Sequence, residues 1–265
     1  MERHALPGTT LEREASTHVA PRYSEGSYFA DPRRHSEDAG FKVQHFQRIL
    51  ERFLLRTGLH VRSLIDVGCG SGEILREISG FVGRDVSLTG YDVSPHVAGL
   101  SDSRIRFVHG DFCLSSDEAD IVTMFDVVEH VPDPVTFIKA VAEHASILAL
   151  HIPLDDSLNS SLRDRFKEKL QDPGHLIYLD QVSALNLLAE AGLTVIDYEF
   201  TFGFLAPSGH STLKSTLAVG PRWLLARLSP WLLSKSLGGA SLMVIAATPR
   251  GTRELQMTAG ATDRR

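Results

Sequence analysis

Three observations predict an α/β fold, with a doubly wound and mostly parallel seven-stranded sheet carrying helices on both faces. Strand-like and helix-like stretches alternate along the middle of the 265-residue chain, as they do where crossover helices cover a parallel sheet. The stretch SLIDVGCGSGEIL (63–75) runs from an apolar strand into three glycines and a helix start. In VSLTGYDVSP a second strand ends on an acid, Asp92, twenty residues after Gly72.

Taken in order, residues 1–24 are polar and aperiodic, which predicts a disordered tail. Val43, Phe46, Ile49, Leu50, Phe53 and Leu54 recur at helical spacing, so 42–56 is an amphipathic helix. Apolar runs predict strands at 62–66, 86–91, 105–108, 120–125, 146–152, 193–200 and 240–247. Helices are expected between them at 72–80, 134–145 and 181–191. Asp133 and Pro134 form a start signal for the second of these. Asp180 and Gly192 bracket the third. The segments 154–179 and 201–239 interrupt the rhythm, and insertions of this size serve to cover or shape a ligand site. One domain is expected over 25–248, and 249–265 reads as a second disordered tail.

Composition narrows the function. Hydrophobic residues make up 43% of the chain, enough for a sizeable core. A net charge of −6 without clustered Lys and Arg argues against nucleic acid as the principal partner. The two cysteines, Cys69 and Cys113, exclude a disulfide framework and a Cys-rich zinc site; they suit a reducing cytosol, so a cytoplasmic location is expected. The opening MERHALPGTTLEREAST lacks an apolar core, so no signal peptide is expected. The nearest approach to a membrane span, 221–239, is broken by Arg222, Arg227, Pro230 and Lys235.

A glycine-rich turn lets a ligand approach the backbone, and the helix start offers it unpaired N–H groups. Alone, the turn also fits a tight connection that binds nothing. Asp92 adds a carboxylate suited to paired ribose hydroxyls, a feature shared with nicotinamide dinucleotide enzymes. The glycine spacing separates the two ligands. Gly68, Gly70 and Gly72 follow G-x-G-x-G, and Glu73 stands where a dinucleotide site would carry its third glycine. The expected cofactor is therefore S-adenosylmethionine, which has no phosphate, and a nicotinamide oxidoreductase is disfavoured.

LIDVGCGSG, GYDVS, FVHGDF and FDVVEHVPDP, in that order across 61–153, resemble the successive motifs of the class I S-adenosylmethionine-dependent methyltransferases. More loosely, the chain resembles the small-molecule branch that includes the ubiquinone-biosynthesis O-methyltransferases, which GHLIYLDQVSALNLLAEAGLTV also suits. The resemblance implies a Rossmann-like sheet, an N-terminal helical cover and an acceptor pocket built by the insertions. It implies that Asp66 ends the first strand and that the backbone of Gly68, Cys69, Gly70 and Gly72 cradles the methionine part of the cofactor. Asp92, followed by Val93, would hold the ribose. Asp111 would accept from the adenine amino group with Phe112 beside the ring, although Asp111 also fits a simple turn cap. Phe125 and Asp126 would floor the sulfonium, and Lys42 is a candidate for the cofactor carboxylate. Cys69 reads as a small filler of the turn, not a nucleophile.

Methyl transfer from a sulfonium needs positioning more than activation. A hydroxyl acceptor also needs a base, for which histidine is suited. His175, at the end of the first insertion, is the preferred candidate, with His130 beside it and His151 a third choice. The string Asp126, Glu129, His130 resembles a Glu-x-x-Glu-His cluster that holds a divalent ion in some of that branch, but its first position departs from the pattern and no metal is assigned. The expected reaction is methylation of a hydroxyl on a small metabolite, a lipid-linked intermediate or a sugar. N-methylation and a cofactor-binding but inactive partner stay open, as do monomer and homodimer. In 221–239, Trp223, Leu224, Leu225, Leu228, Trp231, Leu232 and Leu233 beside basic residues suit peripheral membrane contact, a lid or a dimer surface.

Overall fold

The computed structural model describes residues 38–210, 216 and 218–262; the expected N-terminal tail lies outside the described residues. Seven strands form one sheet: β1 (Ser63–Val67), β2 (Ser87–Asp92), β3 (Ile105–His109), β4 (Ala119–Phe125), β5 (Ala145–Leu154), β6 (Thr194–Phe202) and β7 (Ala240–Ala247). Their spatial order is β3-β2-β1-β4-β5-β7-β6, with β7 antiparallel to both neighbours and the other paired strands parallel. All seven overlap the runs read from sequence. Inner strands such as β4 and β5 are buried along nearly their whole length, as a sheet covered on both faces requires.

Helix α1 (Ala39–Thr57) buries Val43, Phe46, Ile49, Leu50 and Phe53 against the sheet, so its apolar stripe falls as its periodicity predicts. Its polar flank is tied to β6: Arg52 reaches Asp197 and Glu199, each at 3.1 Å. Helix α2 (Glu73–Ser79) follows the glycine turn. Helix α3 (Pro134–Ala142) starts on Asp133, whose Oδ1 accepts from the Thr136 N–H. The first insertion holds α4 (Leu158–Leu162) and α5 (Arg165–Gln171). Helix α6 (Gln181–Glu190) opens on a capping box between Asp180 and Ser183. The second insertion holds α7 (Val219–Leu228) and α8 (Pro230–Ser236), with Pro230 starting the second helix.

One expectation is corrected. The segment from Pro249 is not a structureless tail but begins helix α9 (Pro249–Thr262). The Thr248 hydroxyl donates to the Ala145 carbonyl, and Arg250 pairs with Glu118. Gly251 lies so close to β5 that an added Cβ would sit 1.9 Å from the Ser146 carbonyl oxygen. Tertiary docking therefore holds a helix that its own weakly apolar sequence does not announce.

Candidate active site

The C-terminal ends of β1, β2 and β4 lie side by side where the strand order reverses between β1 and β4, the place where open α/β sheets bind ligands. Gly68, Gly70 and Gly72 all have positive φ, at 78°, 53° and 79°. A Cβ on Gly68 would meet Val127 at 2.6 Å, and one on Gly72 would meet Phe107 at 2.7 Å. The turn therefore needs glycine twice over, for its backbone angle and for its packing. The N–H groups of Gly68 and Cys69 both donate to the Tyr91 carbonyl, anchoring the turn to the end of β2.

Asp92 is buried and accepts from the N–H groups of Gly70 and Ser94, each at 2.8 Å. Burial pushes its carboxyl above the ordinary range while these two bonds hold it down. Val93 follows directly and its carbonyl lies 3.1 Å from His109 Nε2. Asp66 is buried beneath the turn and accepts from the Thr123 hydroxyl at 2.6 Å. Burial raises its pKa to about 7, with the Asp92 charge adding to the shift and Thr123 opposing it. Cys69 is buried and its thiol is pushed up by burial, so it fills the turn and offers no thiolate.

Asp111 does cap a turn: its Oδ1 accepts from the Cys113 N–H at 2.9 Å. Phe112 is 1% exposed, with its ring set edge-on against Tyr91 and His144, so the ring packs in the core. Phe125 is likewise buried, packed against Phe46 of α1.

Asp126 follows β4 with φ 56°, in the left-handed region where an L residue is uncommon. Its carboxylate pairs with Lys42 from α1 and accepts from His151 Nδ1 at 2.6 Å. Burial works against the charge, but Lys42 and His151 outweigh it and hold the carboxyl far below its usual range. Lys42 is correspondingly held above its ordinary value, because Asp126 overcomes the cost of burial. His151 has both nitrogens committed, since its Nε2 lies 2.8 Å from the Thr201 hydroxyl. That leaves no lone pair for an acceptor's proton.

Asp126, Lys42 and His151 line a cavity of about 410 Å³ together with Glu129, His130 and His175. Both insertions contribute, the first through Asp172, Pro173 and His175 and the second through Gly203 and Ala206. His175 is buried, and its Nδ1 lies 2.5 Å from Asp155 Oδ2. Asp155 also binds Lys169 at 2.7 Å; burial raises its carboxyl, but His175 and Lys169 more than reverse that and keep it ionised. His130 donates from Nδ1 to the Gly174 carbonyl at 3.1 Å. The Nε2 atoms of the two histidines then lie 3.8 Å (His130) and 3.9 Å (His175) from Glu129 Oε1.

Glu129 is 1% exposed, and neither carboxylate oxygen has a hydrogen-bond partner among the described residues. Burial, then the charge of Asp126, pushes its pKa well above the ordinary range. Two imidazoles and a carboxylate within reach of one another form a donor set suited to a divalent cation. In both imidazoles Nδ1 is engaged by an acceptor, which directs the Nε2 lone pair inward as second-shell contacts do at metal sites. The sequence reading did not include Asp155, Lys169 or Thr201. The only signal for Asp155 was an acid just past a strand end, in IPLDD.

The methyltransferase domain family matches residues 37–198, over half of the chain, and the chain belongs to it. With the sheet order, this identifies a class I S-adenosylmethionine-dependent methyltransferase domain. Among curated relatives, the ubiquinone biosynthesis O-methyltransferase of Aromatoleum aromaticum is 34% identical over 32% of this chain and 40% of its own. That of Alkalilimnicola ehrlichii is 36% identical over 32% and 38%. The matches thus span about two fifths of these relatives. Among solved structures, the methyltransferase bound to the Haloferax volcanii Trm112 activator aligns with a TM-score of 0.56 at 17% identity, covering 87% of this chain and all of the other. The plantazolicin methyltransferase BpumL, solved with a triazolic desmethylPZN analog and SAH, gives 0.54 at 18% identity, covering 84% and 93%. These likenesses concern the fold. No helix among the described residues is long and apolar enough to cross a membrane.

Proposed function

We propose that the protein transfers the methyl group of S-adenosylmethionine to a hydroxyl of a small molecule, with His175 as the base. The acceptor oxygen attacks the methyl carbon as the carbon–sulfur bond breaks, and the bonding pair leaves on sulfur as S-adenosylhomocysteine. The hydroxyl proton passes to His175 Nε2. The observation that supports this reading is the Asp155–His175 pair, an ionised carboxylate on Nδ1 of an imidazole that lines the cavity. Such a carboxylate orients the ring and stabilises the imidazolium as it forms. The partial similarity to O-methyltransferases agrees with a hydroxyl acceptor. Gly68 to Gly72 and Asp92 would hold the cofactor's methionine and ribose, and Asp126 with Lys42 would sit next to its charged end.

A divalent cation on Glu129, His130 and His175 is the alternative route: it would take the His175 Nε2 lone pair, so that His175 would then be a ligand and not the base. Such an ion would make a hydroxyl bound to it more acidic.

The experiment is a transfer assay with methyl-labelled cofactor against phenols, catechols, aliphatic alcohols and amines. Label on hydroxyl compounds is the expected result. Label on amines alone overturns the reading, and tight cofactor binding with no transfer to any class would point to an inactive binding partner.

A further inference from the structure

Helices α7 and α8 form an outer surface that the cavity does not use. Trp223 and Trp231 are half exposed, at 50% and 49%, and Leu224, Leu228, Leu232 and Leu237 are exposed beside them. Helix α4 lies against α8, where Asn159 donates to the Leu237 carbonyl, and it adds the exposed Leu158 and Leu162. In the described residues only Leu233 and Ser234 of these two helices are buried. A surface this apolar, outside the cavity lining, calls for a partner.

The charge along the second insertion is one-sided. Acids outnumber Lys and Arg by 33 to 27 in the whole chain, yet none occurs between Glu199 and Glu254. Arg222 lies over the Phe204 ring and Arg227 over the Trp223 ring, each at 5.7 Å. Arg222 is held below its ordinary value, first by burial and then by the positive charge of Arg165 from the first insertion. Two like-charged guanidiniums held near one another favour an anionic partner. Lys235 is already engaged by Asp180.

We infer that α7, α8 and the neighbouring end of α4 dock on an anionic lipid surface, with the two tryptophans at headgroup depth. Indole rings favour the boundary between water and hydrocarbon, leucines enter below them, and arginines meet lipid phosphates. A protein interface of the same area would be expected to mix acids with the bases. Phe204, under Arg222, stands between Gly203 and Ala206 of the cavity wall, so the docked face adjoins the site mouth. The inference does not depend on which acceptor is methylated.

Trp223 and Trp231 are the only tryptophans in the chain, so intrinsic fluorescence reports on this face alone. The full-length protein is titrated with vesicles of phosphatidylcholine containing 30% phosphatidylglycerol, and with phosphatidylcholine alone, at low and high salt. Expected are a blue shift, protection from acrylamide quenching and co-sedimentation with the anionic vesicles, at least about tenfold weaker on neutral ones and weakened by salt. Leu228→Glu and Arg227→Glu keep both indoles and should lose binding by a similar factor, with circular dichroism and cofactor affinity unchanged. No blue shift on anionic vesicles at low salt overturns the inference. So does equal binding to neutral vesicles, or a shift that follows protein concentration without lipid, which would assign the face to a second copy of the chain.

Discussion

His175 and Asp155 come from opposite ends of the first insertion, yet their side chains meet at 2.5 Å from Nδ1 to Oδ2. The contact closes the segment 155–175 into a loop and fixes the ring that lines the cavity. Lys169, from α5 within the loop, holds the other oxygen of Asp155. The insertion is therefore both part of the cavity lining and the support of the proposed base.

His175→Ala should lower turnover by ~10²–10⁴-fold and leave cofactor affinity nearly intact. Asp155→Asn keeps the shape but not the charge, and should lower kcat by on the order of 10–10²-fold with little change in KM. His151→Ala should act differently, because His151 touches Asp126 and Thr201. Its loss should weaken cofactor binding more than turnover at saturating cofactor. Equal turnover in wild type and His175→Ala would remove His175 as base.

Asp92→Ala should weaken S-adenosylmethionine binding by ~1.5–3 kcal/mol, the value of charge-assisted hydrogen bonds. Asp92 also holds the Gly70 and Ser94 N–H groups, so part of that loss would come from a loosened turn. Asp92→Asn, which retains an acceptor oxygen, separates the two effects. Calorimetry giving unchanged affinity for both variants, or tighter binding of NAD than of S-adenosylmethionine, would remove Asp92 from the cofactor site.

The inner strands were legible because their apolar runs are buried on both faces, and the glycine turn because three positive-φ positions demand glycine. The direction and place of β7 were not, since an apolar run such as ASLMVIAA reads the same in either orientation. Helix α9 was missed because it is held by Thr248, Arg250 and the close approach of Gly251, not by an apolar stripe. The core packing of the Phe112 ring was not legible, because the motif marks a sequence position and says nothing of where the ring points. His175 and Glu129 stood out as residue types. Their convergence, and the role of Asp155, depend on contacts across 20 residues and more that no local pattern records.

Glu129 carries the test of cation binding. Its buried carboxylate lacks hydrogen-bond partners among the described residues, so an ion shared with His130 and His175 would remove an electrostatic cost as well as add bonds. At a hundred times its Kd, such an ion should stabilise the protein by about 2.7 kcal/mol, a Tm rise of roughly 5–10 °C. Magnesium, manganese and zinc are tried separately by calorimetric melting. Glu129→Gln should lose the response while keeping cofactor affinity. Identical melting with and without each ion leaves the donor set as a proton-sharing cluster and removes the cation.

Asp66 supplies a pH dependence whose sign follows from its raised pKa. A carboxyl at about 7 in the folded chain and near 3.9 in the unfolded chain holds its proton more tightly when folded. Stability from this group is therefore full below about pH 4, falls as pH rises, and levels off above the folded value. The fall amounts to ~4 kcal/mol at most, from three pKa units at 1.36 kcal/mol each. Asp66→Asn removes the titration and keeps an acceptor for the Thr123 hydroxyl. Urea unfolding at pH 5 and pH 8 should then show the variant gaining on wild type by ~2–3 kcal/mol between the two. Groups elsewhere titrate in both proteins and cancel in the comparison. Parallel stability profiles would mean that Asp66 is ionised beneath the turn throughout, with Thr123 and the glycine-turn dipoles outweighing its burial.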